Sequence, residues 1–224
     1  MKQAIKLMVD AVVFGYQDRK LSVLLIKRKY KPFQDSWALP GGYVKDKEPL
    51  EEAVERELYE ETGVKIDYLE QLYTFGNPDR DPRGRLVSVA YFGLVRPDKF
   101  SITADTDAVD VEWFDTNKLP SLAFDHAHIL KSALQPLRAK ISYEPVGFEL
   151  LDSKFLFGEL EKLYMTILGR DIDRRNFRKK MLGLDILDQL DEKVSEGRGR
   201  PANLFQFSKE RYFRKKKEGI VFEI

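Results

Sequence analysis

The sequence predicts an α+β chain in two modules: a strand-rich domain over residues 1–145 and a smaller domain of two helices and a hairpin over residues 152–224. Three observations carry that expectation. Five short runs rich in β-branched and aromatic residues fill the first module around one obvious helix. Beyond residue 152 the apolar residues recur at helical spacing instead. Charge divides at the same place: residues 151–224 hold 17 Lys and Arg against 13 Asp and Glu, leaving 21 against 24 for residues 1–150. An acidic front and a basic back suggest different partners for the two modules.

The runs at 6–16 and 20–28 are separated by the turn-like Gln17-Asp18-Arg19, which predicts a hairpin. Pro40, Gly41 and Gly42 punctuate the loop and short strand that follow. A helix is expected from Pro49 to Thr62, since proline suits the first turn and Gly63 suits a left-handed stop. Three further strands are expected at 66–76, 84–95 and 107–115. Asp125 reads as the side-chain cap of a second long helix, which Pro136 should kink or split. Residues 142–151 break the helical pattern and read as a linker. After them, Phe157, Leu160, Leu163, Tyr164, Ile167 and Leu168 form one apolar face of a helix ended by Gly169. Asp173 reads as the N-cap of the next helix, and the runs at 185–190 and 203–207 as a hairpin with a long tip.

Composition excludes several chemistries. The 224 residues include no cysteine, so disulfides, thiol nucleophiles and thiolate metal sites are ruled out. No apolar run approaches the roughly 18–20 residues of a membrane span, and the first residues read as a strand rather than a signal peptide. A cytoplasmic protein is expected. His126 and His128, the only histidines, diverge by about 200° on their helix, so packing is expected of them rather than metal binding.

The helix at 49–62 is densely acidic. At about 100° per residue, Glu57, Glu60 and Glu61 share one face, where their repulsion calls for a cation. Oxygen-only ligation suits Mg²⁺ or Mn²⁺. Arg56 stands on the adjacent arc, where it can orient a carboxylate by bidentate pairing, and Gly41 and Gly42 allow close backbone approach. The full spacing runs Gly42, five residues, Glu48, seven residues, then Arg56-Glu57-Leu58-Tyr59-Glu60-Glu61-Thr62-Gly63-Val64, and it resembles the Nudix box at every specified position. The resemblance implies an α/β/α sandwich around a mixed sheet, with Mg²⁺-dependent hydrolysis of a nucleoside diphosphate linked to another moiety. It carries metal binding to Glu57, Glu60 and Glu61, with Glu48 and Arg56 in support of catalysis. A box of this shape also serves as a ligand platform without turnover, and both readings stay open. Pro78, fifteen residues past Gly63, resembles the ADP-ribose-hydrolase branch. Arg80, Arg83 and Arg85 beside it are candidates to hold a pyrophosphate or ribose phosphate, as Gly41 and Gly42 are to approach it. Trp37 and Phe75 are expected to pack in the core rather than stack on a base.

In the second module, Arg174, Arg178, Arg175 and Lys179 spread over about 140° of the helix, opposite Phe177, Met181 and Leu184. A basic helix after a short turn is the layout of a helix-turn-helix whose second helix enters a major groove. The hairpin supplies a wing. Its tip, Gly197-Arg198-Gly199-Arg200-Pro201, resembles the Arg-Gly-Arg-Pro core of AT-hook peptides, which place arginines in a narrow minor groove. Lys209, Arg211, Arg214, Lys215, Lys216 and Lys217 add phosphate-binding charge. Together the halves resemble the Nudix-related transcriptional regulators with a C-terminal winged helix-turn-helix. That resemblance implies a homodimer on double-stranded operator DNA, with ADP-ribose or a sugar as effector. Many such regulators carry eroded boxes, and this box is intact. The alternative is a hydrolase of ADP-ribose or a related nucleoside-diphosphate sugar, with a tail that serves dimerisation.

Overall fold

The computed structural model describes residues 4–66, 69–104, 107–195 and 201–219. Strands Lys6–Gln17 (β1) and Lys20–Arg28 (β2) form the hairpin, closed at Asp18 and Arg19 with φ of 51° and 62°. Two consecutive positive φ angles suit the twist of a two-residue hairpin turn. Short strands Trp37–Ala38 (β3) and Gly41–Tyr43 (β4) lead to helix Leu50–Thr62 (α1), which is one residue shorter than expected because Pro49 is its N-cap. Gly63 ends α1 with φ 72°, its N–H donating to the Tyr59 carbonyl. Glu70–Phe75 (β5), Leu86–Val95 (β6) and Ala108–Asp115 (β7) complete a seven-stranded mixed sheet. Its path is β3-β2-β1-β6-β5, with β4 on β1 and β7 on β2. The β1–β6 pair is parallel and the other pairs are antiparallel.

Strand alternation fills both faces of that sheet. Val9, Ala11 and Val13 of β1 are buried in one cluster with Ala53, Val54 and Leu58 of α1. Val12 and Phe14, pointing the other way, are equally buried. Asp10, on that second face, meets the start of helix His126–Tyr143 (α2) through His126.

Helix α2 runs 18 residues without a break, although Pro136 lies inside it. Ile129, Leu130, Ala133, Leu137 and Ile141 are all buried, so one apolar stripe continues across the proline. Burial of that stripe offsets the roughly 3 kcal/mol that an interior proline costs. The chain divides into two compact units, Met1–Pro136 and Leu137–Ile224, so the boundary falls inside α2, ahead of the linker expected at 142–151. Within that stretch a 3₁₀ turn at Val146–Leu150 buries Phe148 and Leu150, and Phe148 stacks on Phe207 at 4.2 Å.

The second unit continues with Phe155–Leu156 (β8), Phe157–Leu168 (α3), Arg174–Gly183 (α4), Leu187–Val194 (β9), Ala202–Phe207 (β10) and Lys209–Lys217 (α5). The strands form an antiparallel sheet in the order β8-β10-β9. Gly169 ends α3 at φ 66°, and the Asp173 carboxylate caps α4 by accepting from the Asn176 N–H at 3.0 Å. Sequence reading saw only a charge run where α5 forms. The Ser208 hydroxyl caps that helix by accepting from the Arg211 N–H. Arg211 and Lys215 then pair with Asp188 and Asp185 at 2.7 and 3.3 Å.

Candidate effector site and nucleic-acid interface

The acidic helix of the first unit is organised around a cation that the chain itself supplies. Arg56 donates to both Glu48 oxygens at 2.6 and 2.9 Å, to Glu57 at 2.8 Å, to Glu60 at 3.1 Å and to the Tyr43 carbonyl at 3.1 Å. The guanidinium therefore ties the loop before α1 to two turns of the helix. Its fork, with the Lys45 N–H, holds the Glu48 carboxyl down to about 2.

Glu57 and Glu61 lie against the glycine pair. The Gly41 N–H donates to Glu61 at 2.9 Å, and a Cβ on Gly42 would stand 2.5 Å from the Glu57 carboxylate. Burial pushes Glu61 up to about 8, a shift that the Gly41 N–H opposes and the Glu57 charge reinforces. Burial raises Glu57 as well. Glu60 is directed to Arg56 and Lys45.

Nudix domains generally use a divalent metal. The hard oxygens of Glu57 and Glu61 have the right chemistry for one. Among the described residues, however, no group of three or more His, Cys, Asp or Glu is placed to hold a metal ion. Of the three carboxylates expected on the helix face, Glu57 and Glu60 each give an oxygen to Arg56.

The three arginines expected to hold ligand phosphates have partners inside the protein. Arg80 is buried and forms a fork with Asp125 at 2.8 and 3.0 Å, with Asp10 at 3.3 Å. The Asp125 carboxylate is therefore occupied by Arg80 and does not cap α2. Arg83 forks onto Asp81 at 2.7–3.2 Å, and Arg85 donates to the Gly76 carbonyl at 2.6 Å. Asp10 is the hub of the buried network, accepting from the Ser88 hydroxyl as well. His126 accepts from the Leu39 N–H through Nδ1 at 2.8 Å. Its other nitrogen carries the proton and faces Asp10 at 3.6 Å. The sequence signal for Asp10 is slight, a lone acid in an otherwise apolar strand.

Beside this network lies a cleft of about 1040 Å³, a size suited to a nucleotide. Phe33, Tyr73, Phe75, Phe124 and His128 supply its aromatic lining, and Asp79, Arg80 and Asp125 its charged groups. Phe75, expected in the core, is buried and also lines the cleft, its ring edge-on to His128 at 5.6 Å. Trp37 packs on Phe114.

In the second unit, Phe177 and Met181 of α4 are buried while Arg174, Arg175 and Lys179 are exposed. Glu161 stands 4.0 Å from Arg174. Arg178 lies 4.3 Å over the Phe157 ring and 5.6 Å from that of Phe205, so its guanidinium also seals the aromatic seam between α3, α4 and β10. Arg198 and Arg200 of the wing tip lie outside the described residues.

The fold and these two sites define a Nudix domain joined to a winged-helix DNA-binding module. The NUDIX domain model matches residues 6–133, and the model of the NrtR DNA-binding winged helix domain matches residues 147–207. The chain therefore belongs to the NrtR family of DNA-binding transcriptional regulators. It is 33% identical over 208 residues to the ADPR responsive transcriptional repressor NtrR of Acinetobacter baylyi, covering 91% of this chain and 82% of that one. It is 43% identical over 123 residues to the ADP-ribose pyrophosphatase of Methanocaldococcus jannaschii, covering 55% of this chain and 72% of that one. The structure of Shewanella oneidensis NrtR complexed with a 27mer DNA matches with a TM-score of 0.74 at 36% identity, covering 92% of this chain and 94% of that one. The NUDIX domain of the same protein complexed with ADP ribose matches with a TM-score of 0.57 at 39% identity, covering 61% and 90%.

Proposed function

We propose that the chain is a homodimeric repressor whose winged helices bind a double-stranded operator and whose Nudix unit binds ADP-ribose, the effector changing operator affinity. The observation that carries this reading is the exposed cationic face of α4, with Arg174, Arg175 and Lys179 opposite buried Phe177 and Met181. Nothing in hydrolysis requires such a face, whereas a recognition helix needs it to reach phosphates and base edges. The effector and the word repressor come from what the Acinetobacter and Shewanella relatives are named for or hold. The aromatic cleft suits an adenine, and a regulator reading chromosomal operators works in the cytoplasm. Among the described residues no helix is long and apolar enough to cross a membrane.

Fluorescence anisotropy of a labelled operator fragment tests the reading. Arg175→Ala with Lys179→Ala should weaken binding by about 10–100-fold and reduce the slope of log affinity against log salt by about 2. Unchanged affinity at moderate salt would overturn the assignment of α4 to DNA.

The intact box and the likeness to the Methanocaldococcus pyrophosphatase favour a second activity, Mg²⁺- or Mn²⁺-dependent hydrolysis of ADP-ribose, for which Glu57, Glu60 and Glu61 are the candidate ligands. It requires Glu60 to leave Arg56. AMP release from ADP-ribose that disappears in Glu57→Gln supports it, and no release with either metal removes it.

A further inference from the structure

Helix α2 belongs to both compact units, because the boundary between them falls at Pro136. Its first half is fastened in the Nudix unit. Asp125, just before the helix, takes the Arg80 fork, and His126 accepts from the Leu39 N–H at 2.8 Å. Asp125, His128 and Ser132 line the cleft, while Ile129, Leu130 and Ala133 are buried. Its second half is fastened in the winged-helix unit. Leu137 and Ile141 are buried, and the Arg138 Nε–H donates to the Ile167 carbonyl at 3.1 Å, in the last turn of α3. The same guanidinium stands 3.0 Å from where a Cβ on Gly169 would lie. Arg138 therefore grips the start of the turn that leads from α3 into α4.

Between these two attachments the helix is softened twice. Pro136 has no N–H to donate to the Ser132 carbonyl, and a proline ring crowds that carbonyl. One turn earlier the Ser132 hydroxyl donates to the His128 carbonyl at 2.9 Å, a back-bond that favours bending. Ser132 is thus at once a wall of the cleft and the residue whose backbone bond the proline removes. We propose that α2 transmits effector binding to the winged helix, with Pro136 as its hinge and Arg138 as its far attachment. This rests on the effector reading of the cleft and names the two-state element that a linked switch needs. A ligand against Asp125, His128 and Ser132 favours one bend at Pro136, and Arg138 carries that bend to the turn before α4. Hinges concentrate such changes in a few residues.

The ratio of operator affinities with and without saturating ADP-ribose, from anisotropy of a labelled operator fragment on the full chain, reads the transmission. Pro136→Ala restores the missing N–H and puts the strongest helix former at the joint, so the fold is favoured. It should bring the ratio at least about threefold closer to one. Arg138→Met keeps an aliphatic stem, removes the donor to Ile167 and should narrow the ratio likewise. Gln135→Ala alters the exposed residue beside the hinge and should change the ratio by less than about twofold. A loss of stability or of DNA-facing charge scales both affinities together and leaves the ratio where it was. An unchanged ratio in Pro136→Ala or Arg138→Met, or equal narrowing in Gln135→Ala, overturns the proposal and leaves the effector reading intact. An unaltered chain whose operator affinity ignores ADP-ribose removes the effector reading, and α2 as its transmitter with it. Hydrogen exchange checks the hinge with no effector present: the amides of residues 137–140 should exchange at least about tenfold faster in the unaltered chain than in Pro136→Ala, and equal rates overturn the hinge.

Discussion

A methyl group on Gly41 would lie 2.2 Å from the Val9 carbonyl oxygen, at a φ of 156° that L-residues rarely adopt. Neither the strand backbone nor the torsion can give way. Gly41→Ala should therefore cost about 2–4 kcal/mol, read as a lowered urea midpoint. At Gly42 the obstacle is the movable end of the Glu57 side chain. Gly42→Ala should leave the midpoint nearly unchanged and displace Glu57, so the two substitutions separate a folding glycine from a site glycine. His126 makes a pH prediction. Burial lowers its pKa; Asp10 and Asp125 oppose this, and Arg80 and Arg28 reinforce it. The unfolded chain protonates this side chain below about pH 6.5, and the folded chain only at lower pH. Its contribution is full above that value and is lost as pH falls below it, by at most about 1.4 kcal/mol per pH unit. Denaturant melts across about pH 5–8 check this, and His126→Gln should flatten the acid-side decline.

At the level of elements, α3 and α4 were legible because each carries a complete local code. An apolar stripe, a capping Asp173 and a left-handed Gly169 lie within a few residues of one another. The side-chain environment inside those helices was not legible. Tyr164 packs 4.9 Å from the Phe177 ring, and its hydroxyl is buried without a hydrogen-bond partner among the described residues. An unpaired buried hydroxyl costs about 1–3 kcal/mol. Tyr164→Phe should therefore leave the protein as stable or raise its unfolding free energy by about 1 kcal/mol, while operator affinity is retained. A large loss of stability would mean that the hydroxyl has a partner such as ordered water. Helix α5 escaped sequence reading for a different reason. Its run of like charges opposes helix formation locally, and Asp185 and Asp188, far back in the chain, neutralise one side of it.

For the whole molecule, the proposed joining of an effector site and a DNA-binding helix in one chain imposes a thermodynamic constraint. If ADP-ribose changes operator affinity by some factor, the operator must change ADP-ribose affinity by the same factor. Operator titrations at saturating ADP-ribose and ADP-ribose titrations at saturating operator should return one coupling energy, of about 1–3 kcal/mol. A measurable change on one side with none on the other would exclude a linked switch. The effector acts only through its different affinity for two conformations, however tightly it binds.

The acidic box, the strand sequence and the basic helix were determined by sequence alone, because each is written in short-range spacing: Gly42 to Glu48 to Arg56, alternation along β1, 3.6-residue periodicity along α3 and α4. Tertiary structure alone decided which charges face each other. Arg80 meets Asp10 across 70 residues and Asp125 across 45, because β1 and the start of α2 converge beside its loop. Arg28 and Arg83 come to share the Phe124 ring in the same way. No local period encodes such meetings, since they depend on which strands become neighbours. A candidate ligand arginine, Arg80, thus became a buried strut.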